Sequence, residues 1–388
     1  MLRADMDALD AVLGFVAAGA AAAALTPLTA RFARAVGAVD RPRERGLSER
    51  PTPLLGGLAI LAGVLFGCAL FLRWDEQLRG ILAGAALITL VGALDDRFDL
   101  PPAVKLVGQI AAAVIPVASG VTVENVTIPF VGPIDFGGLG APLTVLGLVA
   151  VMNVVNFSDG IDGLAAGVCA IAGVTFAIIA FDLGRDSAGV LAAIVGGAAL
   201  GFLFWNFHPA SVFMGDAGAL LLGLLLGCVA VQGSLKTNAI LALIFPLLVL
   251  TVPFLDTTFV VLKRMKYRRP VYSADRWHLH HRLANIGFSQ RRAVLYLYAW
   301  TLIQAGLALA LRFVPYTDDR GNFRLGWSVL MIALGLVALA ASVYLVYVLE
   351  ILKFRRLLRR RRPDATDEEV AEQLETGEFD ALEIPRSD

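Results

Sequence analysis

Long apolar runs dominate this chain, following one another from near residue 8 to residue 350. Hydrophobic residues make up 57% of the sequence, the mean hydropathy is +0.72, and charged residues make up 17%. A soluble domain carries about 25% charged residues, and a membrane-spanning helix takes about 20 consecutive apolar residues. The sequence therefore predicts an all-α polytopic membrane protein.

The apolar runs divide into eleven predicted transmembrane helices within one integral-membrane domain, residues 1–352. Their approximate bounds are 8–30, 53–72, 79–94, 102–119, 141–157, 163–181, 188–205, 216–233, 239–262, 292–312 and 327–350. Residues 121–140 alternate, are rich in β-branched residues and contain Gly and Pro, which predicts a short external β-hairpin. Residues 353–388 form a basic and then acidic cytosolic tail that we expect to be disordered.

Basic residues indicate which side of the membrane each loop faces. Six arginines lie in residues 31–50, nine basic residues in 263–292 and seven in 353–362. With eleven spans these segments share one side with Arg97 and Lys105, and together they hold 24 basic residues, against eight on the other side. The positive-inside rule makes it the cytosolic side, with the N-terminus outside and the C-terminus in the cytosol. The polar clusters described below all fall on it.

Two polar stretches in the first third of the chain combine turns with charge. Residues 44–57, ERGLSERPTPLLGG, offer Arg50 and backbone N–H groups to a phosphate, although a positive-inside loop with a turn explains the same pattern. Residues 94–109, LDDRFDLPPAVKLVGQ, carry Asp95 and Asp96 at a span end. Adjacent carboxylates repel, so at least one favours a cation or a shared proton, and hard divalent metals take carboxylate oxygens. A solvated helix end is the alternative.

Residues 151–167, VMNVVNFSDGIDGLAAG, place polar groups where an apolar span ends. Four of them recur at three-residue spacing: Asn153, Asn156, Asp159 and Asp162. Three residues correspond to about 300° on an α-helix, so one continuous helix cannot point all four at the same site. We therefore expect the helix to break at Gly160 and Gly163, which turns both aspartates into one cleft.

Residues 205–219, WNFHPASVFMGDAGA, join two spans through a short loop. Asn206 and Asp216 flank the loop, and Gly215 allows close backbone approach. Asp216 is either a functional carboxylate or a helix cap. Phe213 is either a core residue or a platform on which a base stacks.

Residues 275–292, DRWHLHHRLANIGFSQRR, form a basic segment that holds three of the four histidines. Its candidate ligand-binding residues are His278, His280, His281 and Arg282. A diphosphate suits this segment, and zinc or a plain surface loop are the alternatives. The three cysteines lie in apolar runs without C-x-x-C spacing, so they predict neither a disulfide nor a zinc site.

Carboxylates for a hard cation such as Mg²⁺ and basic side chains for phosphate converge on one membrane face. Phosphoryl transfer needs this combination, because its catalysis consists mainly of positioning and charge neutralisation. A transporter is the main rival, since acids near spans also carry protons or cations, but transporter sites lie near the midplane. A catalytically inactive nucleotide-sugar sensor is a third interpretation.

Five stretches between residues 50 and 283 together form a pattern that is specific enough to indicate a protein family. They are RPTPLLGG, DDRFDLPPAVKLVGQ, NVVNFSDGIDGLAAG, NFHPASVFMGDAGA and HLHHRL. In type and order they resemble the polyprenyl-phosphate N-acetylhexosamine-1-phosphate transferase family. The resemblance implies ten or eleven spans and transfer of a sugar 1-phosphate from a UDP-sugar to undecaprenyl phosphate or a similar lipid, releasing UMP. HLHHRL resembles the N-acetylglucosamine branch. The branch that transfers phospho-N-acetylmuramoyl-pentapeptide has three consecutive histidines and is the alternative.

Residue chemistry and the resemblance together predict the members of the site. The catalytic candidates are Asp95, Asp96, Asp159 and Asp162, with Asp96 as a base or nucleophile. The expected Mg²⁺ ligands are Asp216 and Asp95, and Mn²⁺ is an alternative ion. The predicted substrate-binding residues are Arg50, Lys105, Asn153, Asn156, Asn206, Phe213, His278, His280, His281 and Arg282. The resemblance implies that Phe213 stacks on uracil and that Lys105 lies near the lipid phosphate.

The chain departs from the family before the Pro-x-Pro turn, where relatives carry a Lys-x-His-like pair and this sequence has Gly46, Leu47 and Ser48. Arg45 or Arg50 is expected to supply the cation there. The expected partners are a UDP-N-acetylhexosamine, a polyprenyl phosphate, membrane lipid and a second copy of the chain, without nucleic acid. The expected location is the inner or plasma membrane, with the site facing the cytosol.

Overall fold

The computed structural model describes residues 7–40, 51–128, 132–234 and 289–314, and most of 324–342. The structural statements below concern these residues. Their helices are α1 (Ala8–Val36), α2 (Gly56–Phe71), α3 (Glu76–Phe98), α4 (Pro102–Ala118), α5 (Gly140–Ser158), α6 (Leu164–Asp182), α7 (Asp186–Asn206), α8 (Gly215–Ser234) and α9 (Gln290–Phe313). Most residues between 325 and 340 are helical as well.

Seven helices in the described ranges are long and apolar enough to cross a membrane, namely α1, α3, α5, α6, α7, α8 and α9. The apolar helices α2 and α4 have 16 and 17 residues. The predicted all-α polytopic membrane fold is therefore confirmed. Every predicted span falls at least partly on helical residues except 239–262, which lies outside the described residues together with the tail at 353–388. The count of eleven spans and the orientation stay predictions.

Within the described ranges, two small antiparallel sheets accompany the helices. Strands β1 (Val39–Asp40) and β2 (Thr52–Pro53) pair just before α2. Strands β3 (Asn125–Ile128) and β4 (Gly132–Asp135) pair between α4 and α5, with Asn125 opposite Asp135. The second pair confirms the hairpin predicted within residues 121–140.

Helix α8 is the centre of the bundle, and its residues from Ala217 to Cys228 are largely inaccessible. It packs against α2, α3, α5, α6 and α7. Glycines permit the closest approaches: a Cβ on Gly57 would lie 2.2 Å from the Gly218 nitrogen, and one on Gly92 would lie 2.4 Å from the Ala217 nitrogen. Small residues of this kind let helix backbones approach closely in a membrane, where lipid tails remove the hydrophobic drive between helices.

Local sequence signals set where the helices begin. Asp7 and Asp75 cap α1 and α3 through side-chain bonds to backbone N–H groups, and α4 begins with proline in its first turn, where a missing N–H costs nothing.

The helices alternate in direction, so the C-terminal ends of α3, α5 and α7 and the N-terminal ends of α4, α6 and α8 lie together. The Arg97 Nε atom donates to the Val36 carbonyl over 2.5 Å, which brings the end of α1 to the same place. We call this the polar end of the bundle.

Candidate active site

An acidic cluster, formed by Asp95, Lys105, Asn156 and Asp216, lies at the polar end. The Lys105 Nζ atom is 3.2 Å from Asp95 Oδ2 and also pairs with Asp216 Oδ2. The Asn156 amide donates to Asp216 Oδ1 over 2.7 Å. Four helices, α3, α4, α5 and α8, thus contribute one side chain each, and all four residues are among the predicted site residues.

Asp96 contacts the backbone at the start of α8. Its two carboxylate oxygens accept hydrogen bonds from the N–H groups of Asp216, over 2.8 Å, and Ala217, over 3.2 Å. Gly215 has a φ of 66°, and a Cβ there would lie 2.3 Å from Asp96 Oδ2. Glycine is needed at this position, because any side chain would displace the carboxylate that holds the first turn of α8.

The polar stretch after α5 contains the predicted helix break. Helix α5 ends at Ser158, α6 begins at Leu164, and Gly163 between them has a φ of 82°. Asp159 is half-buried in this turn. Burial of the carboxyl group, followed by the negative charges of Asp96 and Asp162, raises the pKa of Asp159 well above its usual range. This carboxyl group therefore holds a proton more readily than an ordinary aspartate.

Asp162, in the same turn, contacts the loop between α7 and α8. Its Oδ2 atom lies 2.7 Å from His208 Nδ1 and accepts a hydrogen bond from the Ala210 N–H group over 3.0 Å. Asn206 closes the contact, because its Oδ1 atom accepts from the Gly163 N–H group and its amide donates to the Val212 carbonyl, both over 3.0 Å. We call Asp162, Gly163, Asn206 and His208 the turn–loop cluster.

Phe213 lies in the same loop and is half-buried. Its backbone is fixed independently of its ring: its N–H group donates to the Pro53 carbonyl over 2.9 Å, and its carbonyl accepts from the Gly56 N–H group over 3.0 Å. The Gly57 N–H group donates to the Met214 carbonyl, also over 3.0 Å. The N–H groups of Gly56 and Gly57, in the first turn of α2, thus donate to loop carbonyls, and phosphate binding by Arg50 and backbone N–H groups of residues 44–57 stays a prediction.

Asn153 and Gln109 form an amide pair between α5 and α4. The Asn153 amide donates to Gln109 Oε1 over 2.7 Å and to the Val149 carbonyl over 2.8 Å, and Gln109 returns a longer bond of 3.4 Å. These contacts join two helices, and the substrate-binding role of Asn153 stays a prediction. The other substrate-binding candidates Arg50, His278, His280, His281 and Arg282 lie outside the described residues.

Sequence reasoning missed three residues that shape the site. His208 is a lone histidine without a motif, and its partner Asp162 lies 46 positions away. Tyr298 of α9 donates its hydroxyl to the Gly163 carbonyl. Arg291, at the start of α9, donates to the His208 carbonyl over 3.0 Å. Of the three, only Arg291 carried a signal, because it belongs to the basic segment at 275–292.

The acidic cluster is suited to a cation. Among the described residues no group of three or more His, Cys, Asp or Glu side chains encloses a metal position. Asp95 and Asp216 nevertheless share one cation, the Lys105 ammonium group. Mg²⁺ is commonly held by one or two carboxylates, several waters and substrate phosphates, so this pair fits it.

The helical bundle defines a multi-pass membrane protein, and its charged end is the candidate active site. A comparison with protein families identifies it more closely. The sequence profile of glycosyl transferase family 4 matches residues 78–234, which run from α3 to the end of α8. The relatives described next are similar over most of their length, and the chain belongs to this family.

Three relatives show how far the similarity extends. The chain is 36% identical over 303 residues, 78% of its length, to a probable undecaprenyl-phosphate N-acetylglucosaminyl 1-phosphate transferase of Bacillus subtilis, covering 85% of that protein. It is 38% identical to a decaprenyl-phosphate N-acetylglucosaminephosphotransferase of Mycolicibacterium smegmatis, over 72% of this chain and 77% of the relative. It is 33% identical to a phospho-N-acetylmuramoyl-pentapeptide-transferase of Halalkalibacterium halodurans, over 74% of this chain and 93% of the relative.

Proposed function

We propose that the chain transfers N-acetylglucosamine 1-phosphate from UDP-N-acetylglucosamine to undecaprenyl phosphate or a similar polyprenyl phosphate, releasing UMP. The reaction would be the first membrane step of a cell-envelope polysaccharide pathway. The acidic cluster carries the proposal, because carboxylates and an ammonium group meet at a helix end, where a lipid-borne phosphate and a water-soluble donor can both arrive. The names of the relatives from Bacillus subtilis and Mycolicibacterium smegmatis support this transfer.

Asp216 and Asp95 would hold Mg²⁺, or Mn²⁺ in its place. When bound, the ion would neutralise charge on the diphosphate of the donor. Asn156 and Asp96 contribute by fixing Asp216, one through its carboxylate and the other through its backbone N–H group. Because both oxygens of Asp96 already accept hydrogen bonds, its contacts support a positioning role more than the role of a base or nucleophile.

Lys105 would bind the phosphate of the lipid acceptor. Its ammonium group is shared by Asp95 and Asp216, so its charge is available to a phosphate once a cation satisfies these carboxylates. A phosphate monoester has a second pKa of about 6 and is mostly dianionic at neutral pH. The lipid phosphate therefore needs orientation and charge neutralisation more than it needs a strong base.

We favour direct attack over a phospho-enzyme. An oxygen of the lipid phosphate forms a bond to the β-phosphorus of the UDP-sugar, and the bond from that phosphorus to the bridging oxygen breaks. UMP leaves with the electron pair, and the lipid diphosphate carries the sugar. Asp159, Asp162 and Phe213 would form the wall of the donor site, with Phe213 stacking on uracil. A phosphorylated aspartate trapped with UDP-sugar in the absence of lipid acceptor would overturn direct attack.

The basic residues support a cytosolic site in the inner or plasma membrane. Arg31 and Arg34 lie near the end of α1 and Arg291 lies at the start of α9, and both of these helix ends meet the polar end. The positive-inside rule assigns basic segments of this kind to the cytosol.

Purified full-length protein in lipid nanodiscs tests the proposed function. Undecaprenyl phosphate, Mg²⁺ and a panel of UDP-sugars are supplied, and UMP and the lipid product are measured. UDP-N-acetylglucosamine should give UMP and a lipid diphosphate sugar in equal amounts. Failure of every donor to release UMP contradicts the transferase, and substrate flux across the membrane without UMP release favours a transporter.

The same panel tests a second candidate, transfer of phospho-N-acetylmuramoyl-pentapeptide. The similarity to the Halalkalibacterium halodurans relative, of which 93% is covered, favours this candidate. Turnover of UDP-N-acetylmuramoyl-pentapeptide in preference to UDP-N-acetylglucosamine would establish it.

A further inference from the structure

His208 presents a hydrogen-bond donor to a carboxylate that lines the site. Its Nδ1 atom lies 2.7 Å from Asp162 Oδ2, and the two side chains are 33% and 17% exposed. An ionised carboxylate only accepts hydrogen bonds, so we assign the proton to Nδ1, which makes His208 the donor. From this geometry we propose that His208 is a positioning residue, which orients Asp162 for the transfer reaction. The inference rests on the proposed function.

The two hydrogen bonds to Asp162 reach the same oxygen. His208 Nδ1 and the Ala210 N–H group both contact Oδ2, over 2.7 and 3.0 Å. No residue within the described ranges donates to Oδ1. One oxygen is therefore anchored by two donors while the other stays available to a bound molecule, which is the arrangement expected of a carboxylate held in one orientation.

The backbone of His208 is held by its own hydrogen bond. Arg291 at the start of α9 donates to the His208 carbonyl over 3.0 Å. The Asn206 side chain ties the beginning of the same loop to the Gly163 N–H group and to the Val212 carbonyl. His208 thus has a fixed backbone from which its ring reaches Asp162, and the ring is the part of this contact that a substitution can change selectively.

Three substitutions of His208 distinguish the effect of its hydrogen-bond donor from the effect of its ring volume. His208→Asn places an amide donor near the position of Nδ1, His208→Gln places it near Nε2, and His208→Phe keeps the ring without a donor. In the nanodisc assay we expect Phe and Gln to lower kcat/KM about tenfold and Asn to remain within about threefold of wild type. Ser211→Ala is the matched control, because it removes a bond from the same loop to the Trp205 carbonyl without touching Asp162.

A double substitution tests whether His208 acts through Asp162. Asp162→Ala alone should lower kcat/KM about 100-fold, and adding His208→Phe should lower it no further, because coupled residues are not additive. Additive losses, equal losses in His208→Asn and His208→Phe, or an equal loss in Ser211→Ala each contradict the inference. If the wild type is active and His208→Phe is unaffected, the inference is contradicted and the proposed function is not. If the wild type releases no UMP, both the proposed function and the inference are contradicted.

Discussion

The acidic cluster and the turn–loop cluster lie at the same end of the bundle but are held in different ways. In the acidic cluster, Asp95 and Asp216 share the charge of one lysine. In the turn–loop cluster, Asn206 is held by backbone N–H and carbonyl groups, and Asp162 is held by one backbone N–H group and the His208 ring. A shared ammonium group can be replaced by another cation, whereas backbone donors cannot leave. The first cluster is thus suited to exchange charged ligands, and the second to keep its shape.

The largest effect should come from the acidic cluster. Asp216→Asn removes a charge that Lys105 shares with Asp95, and it should abolish Mg²⁺-dependent UMP release, a loss of at least about 100-fold. The measurement is UMP release over a Mg²⁺ titration. Asp186→Asn is the matched control, since it makes the same change in the first turn of α7, at the other end of the bundle. Unchanged turnover in Asp216→Asn would contradict the metal assignment.

Substitutions of the adjacent residues Asp95 and Asp96 should differ in their effects on turnover and on thermal stability. Asp95→Asn should lower kcat about 100-fold with little loss of stability, because it removes the negative charge paired with Lys105, whereas the amide oxygen can still accept the bond that Asp95 Oδ1 receives from the Leu100 N–H group. Asp96→Asn should lower kcat less and also lower the melting temperature, because it removes one of two bonds to the start of α8, a cap-like contact of about 0.5–2 kcal/mol. Turnover and thermal unfolding, measured on both variants, distinguish these roles. A larger kcat loss in Asp96→Asn with unchanged unfolding would restore Asp96 as the base or nucleophile.

A smaller effect should appear in donor binding. Phe213→Ala should raise the KM for the UDP-sugar about tenfold, because base stacking is worth about 1–3 kcal/mol. The backbone bonds of Phe213 to Pro53 and Gly56 do not depend on its ring, so the loop should keep its path. Phe204→Ala, at a side chain that is 78% exposed on α7, is the control. Equal KM values in both variants would exclude stacking by Phe213.

The smallest effect concerns Lys105. Lys105→Met should lower the Mg²⁺ concentration needed for half-maximal thermal stabilisation about threefold, because a partly exposed ion pair contributes about 0.2–1 kcal/mol and the freed carboxylates attract the ion. Lys105→Arg keeps the positive charge and should leave the midpoint near that of wild type. A midpoint that rises in Lys105→Met would show that the lysine does not compete with the ion.

Much of the fold could be predicted from the sequence, because apolar length and glycine placement act locally. The break after Ser158 followed from spacing alone, since one helix cannot direct four groups to one site. The gathering of Asp95, Lys105, Asn156 and Asp216 also followed from the sequence, because alternating spans bring alternate helix ends together. These inferences needed no knowledge of which helices touch.

Pairings between distant helices could not be predicted in this way. Asn153 contacts Gln109, which lies 44 positions earlier in the chain, and His208 contacts Asp162, which lies 46 positions earlier. Neither contact leaves a period or motif, because both depend on how α4 packs on α5 and how the turn after α5 meets the loop after α7. Asp96 is the clearest example. Its position next to Asp95 in the sequence suggested a catalytic role, whereas the packing of α3 on α8 shows that its carboxylate accepts hydrogen bonds from backbone N–H groups.

The close backbone contacts around the first turn of α8 affect how the two substrates can bind. Gly57 and Gly92 bring neighbouring helices against Gly218 and Ala217 without intervening side chains. Backbone atoms have no rotamers to choose among, so Asp216 is preorganised, and little binding free energy is needed to order it. A donor arriving from water and an acceptor arriving from lipid would then meet the same cluster, and neither would have to assemble it for the other. Among the described residues, these contacts therefore impose no compulsory order of binding on the two substrates.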